Sequence, residues 1–349
     1  MEQPFYFTET IFMIRKFAIC FLGSMLLTEF SLAQSPEPSS AKREKIFDST
    51  VDASKQIHAA LAKSRKENRR VLIQWGSDDS PECLAFNKSL AANRDIGKTL
   101  RYEYDVVRVE VNESAKNRDI AKFYGKRVEG VKFSLESLPF LTVLDTAGKT
   151  VGNETGRTFI TEQGTAPEVS QEGVLDFLTK HQAKPLDANV LLQKAIAQGT
   201  TDKKNVFLHF GAPWCGWCHI MEDWMSEPPV AAILGKVFVD LKVDTDRMIG
   251  GPELLDTYCK KQGGIPWYAF VSTENGSVVI DSDGPSGNIG FPSTDEEIEY
   301  FVSMLQATKG FSDEDIQSLS ESLTADRKAR ESKSRKLQFE NGIIVPIGR

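Results

Sequence analysis

The chain has 349 residues, of which 26% are charged and 40% hydrophobic, with a formal net charge of −7 and a pI of about 5.4. This length and composition are typical of a globular protein with about two domains. No basic excess is present, and this argues against a nucleic-acid partner.

The first 33 residues have the pattern of an export signal. Arg15 and Lys16 precede an apolar stretch, Phe17–Thr28, which is too short for a comfortable membrane span. Small residues before and at Ala33 predict cleavage there, although an uncleaved signal anchor is the alternative. We therefore expect a periplasmic or otherwise extracytoplasmic protein with no stable membrane span after cleavage. Residues 34–46, which are rich in Ser and Pro, are expected to form a flexible leader.

Residues 47–184 alternate between helical and strand-like patterns. Apolar spacing predicts strands over 71–75, 104–112 and 141–144, and helices over 51–63, from 82 onward, over 120–124 and over 173–181. Residues 185–310 repeat this order, with strands over 206–210, 237–243, 268–271 and 277–280, and helices over 186–197, from 220 onward, over 254–258 and over 294–307. The pattern predicts two tandem domains of one fold.

The two domains can be placed on each other with a period near 130 residues. The placement matches Val71 with Val206, Trp75 with Phe210, Gly76 with Gly211, Ser80 with Cys215, Cys83 with Cys218, and Leu138-Pro139 with Ile265-Pro266. Residues 311–349 form a charged tail with a helical pattern and few apolar positions. We expect either a solvated helix that packs lightly on the second domain or a helix used for oligomerisation or docking.

The motif Trp214-Cys215-Gly216-Trp217-Cys218-His219 lies between a predicted buried strand and a predicted helix. Unpaired N–H groups and the helix dipole at a helix N-terminus lower the pKa of a thiol there. The resulting thiolate attacks disulfides. The two-residue spacing lets the helix present both sulfurs within bonding distance, so that Cys215 would attack and Cys218 would resolve the mixed disulfide.

Other uses of this motif stay open. After signal cleavage, the cysteines at 83, 215, 218 and 259 are too few for a disulfide scaffold. The pair can still be a static disulfide or half of a zinc site, but the remaining Cys259 and four histidines offer few further zinc ligands. The sequence Cys-x-x-Cys-His also fits c-type haem attachment, which the preceding buried strand and the downstream Ile265-Pro266 disfavour.

The motif, together with Gly264-Ile265-Pro266-Trp267, resembles the thioredoxin superfamily. The resemblance implies an α/β fold with two thioredoxin-like domains, each a central mixed sheet flanked by helices. It implies a redox-active Cys215–Cys218 disulfide and a cis peptide bond at Pro266, and it places Ile265, Pro266, Trp214 and Trp217 at the substrate surface.

Four residues depart from the family pattern or fall outside it. His209 stands six residues before Cys215, where relatives usually have a buried acid that helps to move the proton of the resolving thiol. An imidazole suits proton transfer, and a buried, merely hydrogen-bonded histidine is the alternative. The first domain has Ser80, a candidate helix cap, and Cys83, which we expect to be an inert thiol, with a mixed disulfide to another protein as the alternative. Cys259 is expected to be a small buried residue, and a third redox-active cysteine is the alternative.

Together these features predict an exported thiol-disulfide oxidoreductase whose second domain is catalytic and whose first domain is degenerate. Its substrates would be protein thiols and disulfides, and its redox partner is not identified. No organic cofactor and no metal are implied, because the dithiol itself carries the electrons. The alternative is a non-catalytic binding or assembly module with a structural disulfide.

Overall fold

A computed structural model describes residues 45–48, 50–112, 117–126, 131–161, 168–261 and 263–340. The predicted signal peptide and most of the predicted leader lie outside these residues. The described residues from 45 onward form one compact unit, within which two similar sheets are found. None of the described helices is long and apolar enough to cross a membrane.

The first domain is built on a mixed four-stranded sheet. Its strands are β1 (Arg70–Gly76), β2 (Tyr104–Glu110), β3 (Phe140–Leu144) and β4 (Thr150–Thr155), in the order β2-β1-β3-β4. Strand β1 pairs parallel with β2 and antiparallel with β3, and β3 pairs antiparallel with β4. A small two-stranded sheet joins β5 (Ile160–Thr161) to β6 (Glu168–Val169).

Helices cover both faces of this sheet. They are α1 (Ala53–Glu67), α2 (Pro81–Ala92), α3 (Arg94–Glu103), α4 (Arg118–Gly125) and α5 (Gln171–His181). Val71, Ile73 and Trp75 of β1 pack with α1 and α4, whereas Leu72 packs with α2, α3 and α5. This alternation is what a strand buried on both faces requires.

The second domain repeats the same sheet. Strands β7 (Asn205–Gly211), β8 (Phe238–Asp244), β9 (Trp267–Val271) and β10 (Val278–Asp281) lie in the order β10-β9-β7-β8, with β7 parallel to β8 and antiparallel to β9. The central pairing also repeats, because Val71 lies opposite Leu144 in β1 and Val206 lies opposite Val271 in β7. A short hairpin joins β11 (Asp283–Gly284) to β12 (Gly287–Asn288).

Helices also flank both faces of the second sheet. They are α6 (Ala188–Asp202), α7 (Gly216–Met225), α8 (Pro228–Val237), α9 (Gly251–Tyr258), α10 (Asp295–Gln306) and α11 (Asp313–Glu340). Val206, Leu208 and Phe210 pack with α6 and α9, while Phe207 packs on the face that carries α7, α8 and α10. The predicted fold class, two mixed sheets flanked by helices with a C-terminal helix, is confirmed.

The expectation that the tail packs lightly is wrong. Leu319 and Leu323 of α11 are fully buried in the core that also contains Trp224 and Phe301. The indole N–H of Trp224 donates to Ser322 Oγ at 3.0 Å, and Lys236 pairs with Asp315 at 2.6 Å. A few apolar residues are enough to bury one face of α11, because they recur at i and i+4 on that face.

Candidate active site

The Cys-x-x-Cys motif lies at the N-terminus of α7, directly after β7. Cys215 is the N-cap residue, and its Sγ accepts a hydrogen bond from the backbone N–H of Cys218 at 3.1 Å. The two sulfurs form a disulfide, in which Cys215 is 4% exposed and Cys218 is 1% exposed. The more exposed residue of the pair is therefore the one that caps the helix.

The Ile265-Pro266 segment lies against this disulfide. The peptide bond between the two residues is cis, which confirms the prediction, and the matching Leu138-Pro139 bond is also cis. Cys215 Sγ is 3.5 Å from the carbonyl oxygen of Ile265, and Ile265 packs against the cluster that Ala212 forms with the two cysteines. Pro266 itself is buried at the start of β9.

Two tryptophans beside the cysteines face solvent. Trp214 is 56% exposed and Trp217 is 48% exposed. The indole N–H of Trp214 donates to Asp246 Oδ2 at 3.0 Å, and the guanidinium carbon of Arg330 lies 5.3 Å from the centre of the Trp217 ring. Large exposed aromatic side chains next to a reactive group are typical of a binding surface.

His209 is buried on the strand that leads to the motif. It is 2% exposed, and its Nε2 is 2.9 Å from Asp240 Oδ1 of the neighbouring strand. Burial raises the pKa of Asp240, but the interactions with His209 and Lys242 outweigh burial, so that the pKa of this carboxyl is lowered overall. The structure therefore gives His209 a carboxylate partner. His219, the residue after Cys218, has its Nε2 3.0 Å from the carbonyl oxygen of Pro213.

A carboxylate that sequence reasoning missed lies on the same face of β7. Glu222 follows Cys218 by four residues on α7, and its Oε2 pairs with Lys242 Nζ at 2.7 Å. Glu222, His209 and Asp240 all line a cavity of about 760 Å³. The i, i+4 spacing from the second cysteine was the available signal, but the motif alone gave no reason to choose Glu222 over its neighbours.

The first domain has the same turn, but Ser80 takes the place of the first cysteine. Ser80 caps α2 by accepting from the N–H of Cys83 at 3.2 Å, as expected. Cys83 is fully buried, and burial raises the pKa of its thiol. Cys259 differs from the expectation, because it is only half-buried at the end of α9, where its thiol lies 2.9 Å from the Lys261 carbonyl oxygen.

Nothing in the described part of the chain groups three His, Cys, Asp or Glu side chains as ligands for a metal. The site is thus defined by a disulfide at a helix N-terminus, a neighbouring cis-proline and two exposed indoles. The strand order and this site together define a protein with two thioredoxin-like domains, of which the second carries the cysteine pair.

Family models match both halves of the chain. Residues 52–146 match a model described as "Thioredoxin-like", and residues 170–324 match the model Thioredox_DsbH, described as "Protein of unknown function, DUF255". Both halves of the chain are thus thioredoxin-like, in agreement with the two sheets.

Individual relatives are distant. An uncharacterized protein of Caenorhabditis elegans is 28% identical over 125 residues, which is 34% of this chain and 17% of that protein. This chain therefore matches less than a fifth of that relative's length.

Similar solved structures include a disulphide isomerase from Xylella fastidiosa Temecula1, 22% identical with a TM-score of 0.32, covering 40% of this chain and 97% of its own. A thioredoxin from Thermus thermophilus is 21% identical with a TM-score of 0.25, covering 35% of this chain and 81% of its own. A structure described as DsbH Oxidoreductase is 21% identical with a TM-score of 0.26, and the match covers 36% of this chain and 86% of that structure's chain. The assignment of the fold rests on the family models and the strand order.

Proposed function

We propose that this protein is an exported thiol-disulfide oxidoreductase that exchanges disulfides with protein substrates through Cys215 and Cys218. The observation that carries the proposal is the position of Cys215, which caps α7 and lies 3.5 Å from the Ile265 carbonyl oxygen. The helix N-terminus stabilises a thiolate at Cys215 in the reduced protein. The backbone before Pro266 offers hydrogen-bonding groups to an extended substrate segment.

The reaction transfers two electrons between the cysteine pair and the substrate. The Cys215 thiolate attacks a substrate disulfide, forms a mixed disulfide and releases one substrate thiol. The thiolate of Cys218 then attacks Cys215 Sγ, closes the Cys215–Cys218 disulfide and releases the second substrate thiol. The substrate disulfide is reduced while the dithiol is oxidised, and the reverse sequence donates the disulfide to a substrate dithiol.

Trp214 and Trp217 are proposed to hold the substrate polypeptide beside Cys215. They are the large apolar side chains that stand exposed on either side of the first cysteine. The electron partner is proposed to be a second thiol protein in the extracytoplasmic space, as the predicted export signal suggests. No nucleic-acid partner is proposed for this acidic chain.

The first experiment is a measurement of the reduction potential of the Cys215/Cys218 pair by thiol trapping in glutathione and dithiothreitol buffers. A value near the roughly −270 mV of thioredoxin identifies a reductant, and one near the roughly −120 mV of strong oxidants identifies a disulfide donor. A pair that resists reduction across this range identifies the non-catalytic module with a structural disulfide.

Substitution of each cysteine separates the two roles. Cys215→Ser is expected to abolish exchange, because the attacking sulfur is lost. Cys218→Ser is expected to accumulate mixed disulfides with substrate proteins, seen as bands on a non-reducing gel that disappear on reduction. Full turnover by Cys215→Ser protein contradicts the mechanism.

A further inference from the structure

A carboxylate and the second cysteine face the same gap above Gly211. A Cβ placed on Gly211 would lie 3.3 Å from Cys218 Sγ and 3.6 Å from Glu222 Oε1. Glu222 lies four residues after Cys218 on α7, so that the two side chains project from the same side of the helix. Glycine at this point of β7 leaves both groups room to approach each other.

The free oxygen of Glu222 is the one that lies beside the gap above Gly211. Glu222 Oε2 is held by Lys242, whereas Oε1 is buried and accepts no hydrogen bond from any residue that the structure describes. The Glu222 side chain is 19% exposed. A buried carboxylate oxygen without a donor is costly, and a proton delivered by Cys218 would satisfy it.

His209, the residue that takes the place of the family's acid, is engaged elsewhere. Its Nε2 is bonded to Asp240, and its buried Nδ1 has no partner among the described residues. Lys242 pairs directly across from His209 in the β7–β8 register and then reaches Glu222. The lysine therefore holds the Glu222 carboxylate in place and ties it to the strand pair.

A route to solvent is also present. The cavity of about 760 Å³ reaches Glu222 from between the two domains. Its titratable groups in the second domain are Glu222, Asp223, His209, Asp240 and Lys242, and those from α1 of the first domain are Lys63, Lys66 and Glu67. A proton taken up by Glu222 can pass from there to bulk water.

We propose that Glu222 is the proton acceptor for the Cys218 thiol, which rests on the proposed function of the cysteine pair. In the mixed disulfide, the Cys218 S–H gives its proton to Glu222 Oε1, directly or through one water. The new thiolate attacks Cys215 Sγ, the bond from Cys215 to the substrate sulfur breaks, and the substrate leaves as a thiolate. In the reverse reaction, protonated Glu222 returns the proton to Cys218 as its sulfur departs.

The test separates attack from resolution in one turnover. Reduced protein carrying Cys259→Ser is mixed with one equivalent of a symmetrical aromatic disulfide whose released thiolate is coloured. The first thiolate reports attack by Cys215, and the second reports resolution by Cys218. Wild-type protein is expected to release both.

Glu222→Gln is expected to leave the first phase within about twofold and to slow the second by about 10- to 100-fold at neutral pH, since a positioned base typically contributes at least this much. In this variant the rate of the second phase should rise about tenfold per pH unit below the thiol pKa, as it does for an unassisted thiol. The rate of the same phase in the wild-type protein should depend less on pH. Glu222→Asp should recover part of the rate. An unchanged first phase also shows that the variant is folded.

Two matched controls make the assignment specific. Glu227→Gln makes the same change at an exposed residue just after α7, outside the cavity, and should leave both phases within about twofold. His209→Gln places in the second domain the glutamine that the first domain has at position 74. A second phase that is slowed by His209→Gln and not by Glu222→Gln overturns the proposal. A wild-type protein that releases no second thiolate contradicts the proposed function itself.

Discussion

Two cysteines, Cys83 and Cys218, occupy matching places in the two sheets and have different chemistry. A Cβ on Gly76 would lie 3.1 Å from Cys83 Sγ, and one on Gly211 would lie 3.3 Å from Cys218 Sγ. Cys218 has a sulfur partner one turn earlier, whereas Cys83 has the hydroxyl of Ser80. The two domains therefore match at the second cysteine of the turn and differ at the first position, where Ser80 stands in place of Cys215.

Cys83 is expected to be inert in the folded protein. Burial raises the pKa of its thiol, so that the reactive thiolate is scarcer at neutral pH than in a free thiol, and the sulfur is also shielded from reagents. Timed alkylation with iodoacetamide, read by mass spectrometry of peptides, should label Cys83 at least about tenfold more slowly than half-buried Cys259. Both rates should rise with pH, and both should become similar in urea. Equal labelling in native protein contradicts this prediction.

At the scale of elements, α11 is part of the second domain's core. Besides its buried leucines, Arg330 lies 5.2 Å from the ring of Phe291 and 5.3 Å from the ring of Trp217. Arg327 of the same helix pairs with Asp295 of α10 at 2.7 Å. Helix α11 thus packs against the buried side of α7 and also contacts Trp217, which lies beside the cysteines.

Leu319→Ala is expected to destabilise the protein by about 2–5 kcal/mol, because it leaves a cavity in a fully buried site. Urea unfolding followed by tryptophan fluorescence measures the change. Lys328→Ala, at an exposed position of the same helix, should stay within about 0.5 kcal/mol of wild type. A leucine variant as stable as the lysine variant would show that α11 is a loosely attached tail.

The elements that sequence could predict are those with a repeated pattern. Val71 and Val206 occupy equivalent positions in two buried strands, and the cis bond at Pro266 follows from the family motif. Two helices were missed. Asn93 both ends α2 and caps α3 through hydrogen bonds from Asp95 and Ile96, so that one helical pattern conceals two helices. α8 begins with Pro228-Pro229, where proline suits the first turn of a helix.

The contacts of the site were less predictable than its position. The cysteines, tryptophans and proline are recognisable because motif spacing places them at a turn. The pairing of Glu222 with Lys242, and of His209 with Asp240, depends on how α7 lies over β7 and β8. The extent to which α11 is buried depends on tertiary packing, and sparse apolar positions in the sequence do not predict that packing.

At the scale of the whole molecule, one arginine connects the two domains. Arg247 follows β8, and its guanidinium donates to both carboxylate oxygens of Glu103, at 3.1 and 3.0 Å. It also donates to the carbonyl oxygens of Glu67 and Asn68, each at 2.8 Å. These carbonyls lie at the C-terminal end of α1, where helix carbonyls lack partners within the helix.

The neighbouring Asp246 brings the first domain close to the active site. Asp246 accepts from Trp214, and burial together with the charge of Asp246 raises the pKa of Tyr102 in the first domain. The residue pair Asp246-Arg247 therefore contacts both the first domain and the indole beside Cys215. The first domain therefore supports the loop that lies beside the cysteine pair of the second domain.

Arg247→Met is expected to destabilise the protein by about 3–5 kcal/mol, because it leaves Glu103 as an uncompensated, largely buried charge. Unfolding in urea should then separate into two transitions as the domains lose their coupling. The matched control is Arg157→Met, which breaks the more exposed pair with Glu82 inside the first domain and should cost less than about 1 kcal/mol. A single transition with unchanged midpoint in Arg247→Met protein contradicts the coupling.

The buried leucines of α11 also give the chain an order of assembly during synthesis. Domains of a growing chain generally fold from the N-terminal one onward. The first domain's sheet and helices are complete by His181, whereas the second domain's core needs Leu319 and Leu323. The first domain can therefore be ready, with its α1 carbonyls exposed, before Arg247 arrives to bind them. The cysteine turn gains its final surroundings only after α11, about a hundred residues further along, has been made.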